Sequence, residues 1–118
     1  MSNQRHTAYA GLRYSKDNVS ILVTLDARRP KKTGLFPVRV QVVCDRVQRF
    51  YPTGKDLSLQ DWNDLPKTKS KRLISIREDI KNTFEKIEEI TKSLITEDCF
   101  TFNTLNIRLS KGMDGVII

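Results

Sequence analysis

Phe36-Pro37-Val38-Arg39-Val40-Gln41-Val42-Val43-Cys44 is the stretch that decides the fold. Successive side chains of an extended chain point to opposite sides, so Val38, Val40, Val42 and Cys44 share one face and Arg39, Gln41 and Val43 the other. Upstream, Val19-Ser20-Ile21-Leu22-Val23-Thr24-Leu25 alternates in the same way, with Val19, Ile21, Val23 and Leu25 on its apolar face. The two runs are separated by Asp26-Ala27-Arg28-Arg29-Pro30-Lys31-Lys32-Thr33-Gly34, a basic loop punctuated by proline and glycine. Downstream, Asp45-Arg46 is read as a tight turn without a glycine, followed by a third short strand, Val47-Gln48-Arg49-Phe50-Tyr51, closed by Pro52-Thr53-Gly54. Three strands with short connections predict an antiparallel meander.

Such a sheet needs a cover on its apolar face. Ser58-Leu59-Gln60-Asp61-Trp62 supplies one: Ser58 is a good N-cap, and Leu59 and Trp62, three apart, fall on one helical face. Trp62 is expected to pack on the sheet, and Pro66 to end the helix. After a basic connector from Lys67 to Arg72 comes a long helical pattern. Leu73, Ile80, Ile87 and Leu94 recur every seven residues, Ile76, Thr83 and Ile90 fill the positions three further on, and Phe84 widens the stripe. This seam reads as core packing or, alternatively, as a protein-interaction and oligomerisation surface. Thr101 to Leu109 reads as a short further helix capped at Thr101 or Asn103. The fold class expected is therefore α+β: a three-stranded antiparallel sheet covered by a short helix, then a long helix and a short helix. Residues 1–17, without sustained periodicity, are expected to be a flexible leader, 18–66 the sheet domain, and 67–118 a helical connector. The tail ends on apolar Val116-Ile117-Ile118, which reads as the end of a fragment.

At 118 residues the chain affords one core. Its net charge of +7 suits a polyanionic partner. The charge is segregated: eight cations face one anion between Arg28 and Lys55, whereas anions prevail between Ile76 and Asp98. The cysteines, Cys44 and Cys99, belong to no metal-ligand cluster, and nothing marks them as a disulfide in a chain without a secretory signature. The single histidine, His6, lies in the leader. No phosphate-binding loop, zinc motif or acid/base constellation occurs, so no catalytic site, metal, cofactor or small-molecule substrate is expected. No apolar run approaches the roughly 20 residues that span a bilayer, and the cytoplasm is the expected location.

What remains is the basic sheet. Arg and Gln are the side chains that read guanine and adenine edges bidentately in the major groove. Arg39 and Gln41 are the candidate base readers, with Arg49 and Tyr51 expected beside them on the neighbouring strand. Arg28, Arg29, Lys31, Lys32 and Lys55 are candidate contacts to the phosphate backbone. An RNA or membrane surface, or a merely solvated sheet face, are the other readings of the same residues.

The order of features resembles the N-terminal arm-type DNA-binding domain of tyrosine recombinases, the integrases of phages and conjugative transposons. The likeness is carried by Tyr51-Pro52-Thr53-Gly54-Lys55-Asp56-Leu57-Ser58-Leu59-Gln60-Asp61-Trp62, and by Gly34-Leu35-Phe36-Pro37-Val38 leading into the second strand. The resemblance covers about residues 18–66, and the helical remainder looks like the connector and the beginning of the core-binding domain. It implies sequence-specific binding of double-stranded DNA at arm-type sites, with other recombinase protomers as further partners. It also implies that the fragment is no enzyme, although its parent is a recombinase. The family's catalytic residues have no counterpart here.

Overall fold

A computed structural model describes residues 6–27 and 32–114, with side chains over 12–27 and 32–110. Four strands form one antiparallel sheet in chain order: β1 (His6–Lys16), β2 (Val19–Asp26), β3 (Phe36–Cys44) and β4 (Val47–Leu57). The sheet thus has four strands where the sequence reading expects three. The additional strand, β1, occupies the segment expected to be a leader. His6-Thr7-Ala8-Tyr9-Ala10-Gly11 is poor in β-branched residues, so local propensity hides the strand. Pairing along β2 overrides that propensity, through an irregularity between Ala8 and Arg13.

The register of β2 and β3 sets Val23 opposite Val40, Ile21 opposite Val42 and Leu25 opposite Val38. These six side chains are at most 1% exposed. The β3–β4 connection is the expected two-residue turn, with Asp45 at φ 51° and Arg46 at φ 72°. Both central residues adopt the positive φ of a type I′ hairpin, the turn whose twist matches the flanking strands. β4 continues past Pro52, where the sequence reading closes the strand. A proline is tolerated because β4 is an edge strand. The bulge that follows is turned by Gly54 at φ 80° and stitched by Thr53, whose hydroxyl donates to the Val38 carbonyl at 2.7 Å and accepts from the Lys55 amide at 3.1 Å.

Helix α1 (Leu59–Asp64) begins as expected: the Ser58 hydroxyl accepts from the Asp61 amide at 3.0 Å. Trp62 is buried, but Leu59, expected to share its face, is 49% exposed. Leu65 in the following 3₁₀ turn (Leu65–Lys67) is buried instead. Helix α2 (Lys71–Thr96) is tied back to this region by Arg77, which donates to the carbonyls of Leu65 and Pro66 at 2.9 and 3.2 Å. Those carbonyls close a helix end and need such partners. Lys55 of β4 reaches Asp79 at 2.9 Å, which places the part of α2 up to Phe84 on the apolar side of the sheet.

The buried positions of α2 are Leu73, Ile80, Phe84, Ile87, Thr91 and Leu94, whereas Ile76, Thr83 and Ile90 are only half-buried. The stripe therefore runs through Phe84 and Thr91 rather than through the expected seam partners. From Ile80 onward these buried positions keep the alternating four- and three-residue spacing of a heptad seam, one frame away from the expected partners. The chain divides into two compact units between Phe84 and Glu85, within α2. In the second unit Leu105 and Leu109 of α3 (Phe102–Asp114) join Ile87 and Leu94 as the buried apolar residues. Thr101 caps α3, its hydroxyl accepting from the Thr104 amide at 2.9 Å. Arg108 of α3 holds Glu97 at 2.8 Å.

Candidate nucleic-acid interface

The face of the sheet opposite Val23 and Val40 carries the polar residues of the meander. Directly paired residues in an antiparallel sheet share a face, so the register assigns its occupants. One row across the four strands reads Arg13, Leu22, Gln41 and Phe50; the next reads Ser15, Ser20, Val43 and Gln48. A third places Thr24, Arg39 and Pro52 side by side. Arg13, Ser15 and Gln48 are exposed, and Leu22, Gln41, Val43 and Phe50 are half-buried.

Arg39 and Gln41 share this face, as expected, but they are differently placed. Arg39 is turned onto Asp26, Nη1 to Oδ2 at 3.2 Å, with its side chain 33% exposed against 2% for the aspartate. A carboxylate so buried requires a positive partner, and Arg39 is it. Part of the guanidinium thus neutralises a buried carboxylate, and the rest stays accessible on the open face. Gln41 is directed outward, and its amide nitrogen donates to Oε1 of Gln48 across the β3–β4 pair. This contact couples the two glutamines, so each limits the other's rotamers.

Arg49 and Tyr51 are not beside Arg39 and Gln41. Arg49 pairs with Val42 and Tyr51 with Val40, which puts both on the helix-bearing side of the sheet. Arg49 remains exposed near the hairpin, donating to the Gln48 carbonyl at 2.9 Å. Burial raises the Tyr51 phenol above its ordinary pKa, partly offset by the nearby Arg49 charge. Lys55 is likewise engaged on that side, by Asp79. Of the basic loop, Lys32 is exposed, while Arg28, Arg29 and Lys31 lie outside the described residues.

Sequence reasoning did not place Gln48, Arg13, Ser15 and Ser20 on this face. Gln48 was accessible to it: a two-residue turn at Asp45-Arg46 makes Cys44 and Val47 partners, and alternation from there sends Gln48 to the open side. Arg13 and Ser15 depend on β1 and had no comparable cue.

Both cysteines are free thiols, and burial raises the Cys44 thiol above its ordinary range, with Asp45 adding to the effect. Among the described residues no His, Cys, Asp and Glu cluster suited to a metal occurs, and no helix is long and apolar enough to cross a membrane. The site therefore offers hydrogen-bond donors, acceptors and positive charge on a pleated surface. Residues 23–106 match the family model described as the arm DNA-binding domain. The match starts within β2 and runs through α2 into α3, well beyond the stretch that carried the resemblance. No curated protein and no solved structure gave a match.

Proposed function

The chain belongs to the arm DNA-binding domain family, and from that premise we propose that it binds double-stranded DNA sequence-specifically, at arm-type sites, as the N-terminal part of a tyrosine recombinase. Family membership supports DNA as the partner. The observation that carries the finer reading is the side of the sheet opposite Val23 and Val40, on which Gln41 and Gln48 are held together between apolar Leu22, Val43 and Phe50. Paired amides offer donors and acceptors to base edges, and apolar neighbours suit thymine methyl groups. In this proposal Gln41 and Gln48 are the base readers. Arg39 braces the surface from Asp26 and turns its remaining donors to the groove. Arg49 and Tyr51 drop out of the reading set because they lie on the other face. Lys32, with the basic loop of Arg28, Arg29 and Lys31, contacts phosphates and sets register.

The test is an electrophoretic shift with the terminal DNA of the parent element against a scrambled duplex, at two salt concentrations. The expected result is preference for the terminal DNA by about 10³-fold or more, with both affinities falling steeply as salt rises. Equal affinity for the two duplexes would reduce the function to unspecific DNA binding.

A further inference from the structure

Arg13, Ser15 and Ser20 form a cluster that the meander reading does not use. Arg13 and Ser15 lie two apart on β1, on the same face, and Ser15 is directly opposite Ser20 on β2. With Tyr14 and Leu22 they line an open depression in the sheet surface. Arg13 is exposed and has no carboxylate partner among the described residues. It also precedes the stretch that matches the family, which starts at residue 23.

An arginine with two hydroxyls is a set of donors without a neutralising acid, which is the chemistry that binds a phosphate oxygen. Width then decides between phosphate and base. Strands are spaced about 4.8 Å apart, so four of them span about 14 Å from the first to the last. The major groove is only about 12 Å wide. When β3 and β4, which carry Gln41 and Gln48, sit over the base edges, β1 at the opposite edge of the sheet lies at the wall of the groove, where the phosphates are.

We propose that Arg13, Ser15 and Ser20 hold a backbone phosphate of the duplex, which makes β1 one edge of the DNA-binding surface. This rests on the DNA-binding reading above. It assigns Arg13 to affinity and register, and leaves base discrimination to Gln41 and Gln48 on β3 and β4.

The experiment is fluorescence anisotropy of the full 118-residue chain against two labelled duplexes, one selected from a randomised pool and one scrambled, between 50 and 200 mM salt. Thermal unfolding of each variant confirms that the edge strand is kept. Arg13→Ala is expected to weaken both duplexes alike, by about eightfold at 0.1 M salt, and to lower the salt slope by about 0.9, the value of one phosphate contact. Arg13→Lys keeps the slope because it keeps the charge. Ser15→Ala with Ser20→Ala weakens both duplexes without changing the slope. Unchanged affinity and slope in Arg13→Ala would overturn the proposal. So would a loss confined to the selected duplex, which would make Arg13 a base reader. If the wild-type chain binds neither duplex, the DNA-binding reading itself falls, an outcome distinct from a failure of Arg13 alone.

Discussion

The two faces of the sheet are built from the same strands, one residue out of step, yet they differ in nearly every physical respect. On one, Ile21, Val23, Leu25, Val38, Val40 and Val42 are sealed from water. On the other, Leu22, Gln41, Val43 and Phe50 remain half-accessible beside exposed Arg13, Ser15 and Gln48. The difference teaches that burial and exposure alternate along each strand, so substitutions should separate stability from the proposed recognition. Asp26 and Arg39 are the place where the division is least clean. The aspartate is as buried as the valines although it points to the polar side.

The largest effect belongs to the covered face. Trp62→Ala removes a side chain that is 4% exposed and leaves a cavity in the core of the first unit. It is expected to cost about 3–5 kcal/mol, read by chemical denaturation, without altering preference among DNA sequences in the fraction that folds. A cost below about 1 kcal/mol would mean that the helices contribute little to the covered face, and the contrast between the two sides would collapse.

Next comes Arg39→Ala. Leaving the Asp26 carboxylate buried without its arginine is expected to cost about 3 kcal/mol, at the low end for breaking a buried pair because Arg39 is itself one-third exposed. Replacing both, as Asp26→Leu with Arg39→Met, should recover most of the loss, since an apolar pair leaves no stranded charge. The same variants, tested by competition between duplexes, sharpen the comparison. Retained sequence preference in the double variant makes Arg39 a brace. Full stability in Arg39→Ala with relaxed preference restores it as a reader.

The apolar alternation of β2 and β3, the turn at Asp45-Arg46, the Ser58 cap and the buried Trp62 were all legible, because each is a local rule satisfied by adjacent residues. Tyr51 and Arg49 were misplaced for a different reason. Polar and aromatic types suggested the open face, but the hairpin register, not residue type, determines which way a strand residue points. β1 was illegible because its strand character comes from pairing with β2 and not from its own composition. The Asp26–Arg39 pair was hidden for a related reason: the partners are thirteen residues apart, and only the β2–β3 register brings them together. In α2 the apolar positions were read correctly. However, the set that interleaves with Ile80, Ile87 and Leu94 in the buried stripe is Phe84 and Thr91, four residues on, and not Ile76, Thr83 and Ile90.

The smallest effect concerns the second unit, where Glu97 and Arg108 form the exposed counterpart of Asp26 and Arg39. They are 2.8 Å apart with side chains 47% and 40% exposed. Hydrogen bonds from Arg108 and then Ser93 hold the Glu97 carboxyl at about 2, well below the ordinary carboxylate range. Because the folded value is depressed, the pair's contribution is complete above the unfolded value of about 4.3 and is lost as pH falls through about 2. Solvent screens so exposed a pair, and its contribution to stability is correspondingly slight. Carboxyl NMR titration should therefore show Glu97 titrating near 2 in the wild type and moving up toward the ordinary range in Arg108→Gln, with little change in the unfolding midpoint at neutral pH. An unshifted Glu97 in the wild type would mean that the pair is not maintained in solution. A large fall in the unfolding midpoint in Arg108→Gln would mean that an exposed pair can brace its unit as firmly as the buried one, removing the contrast between them.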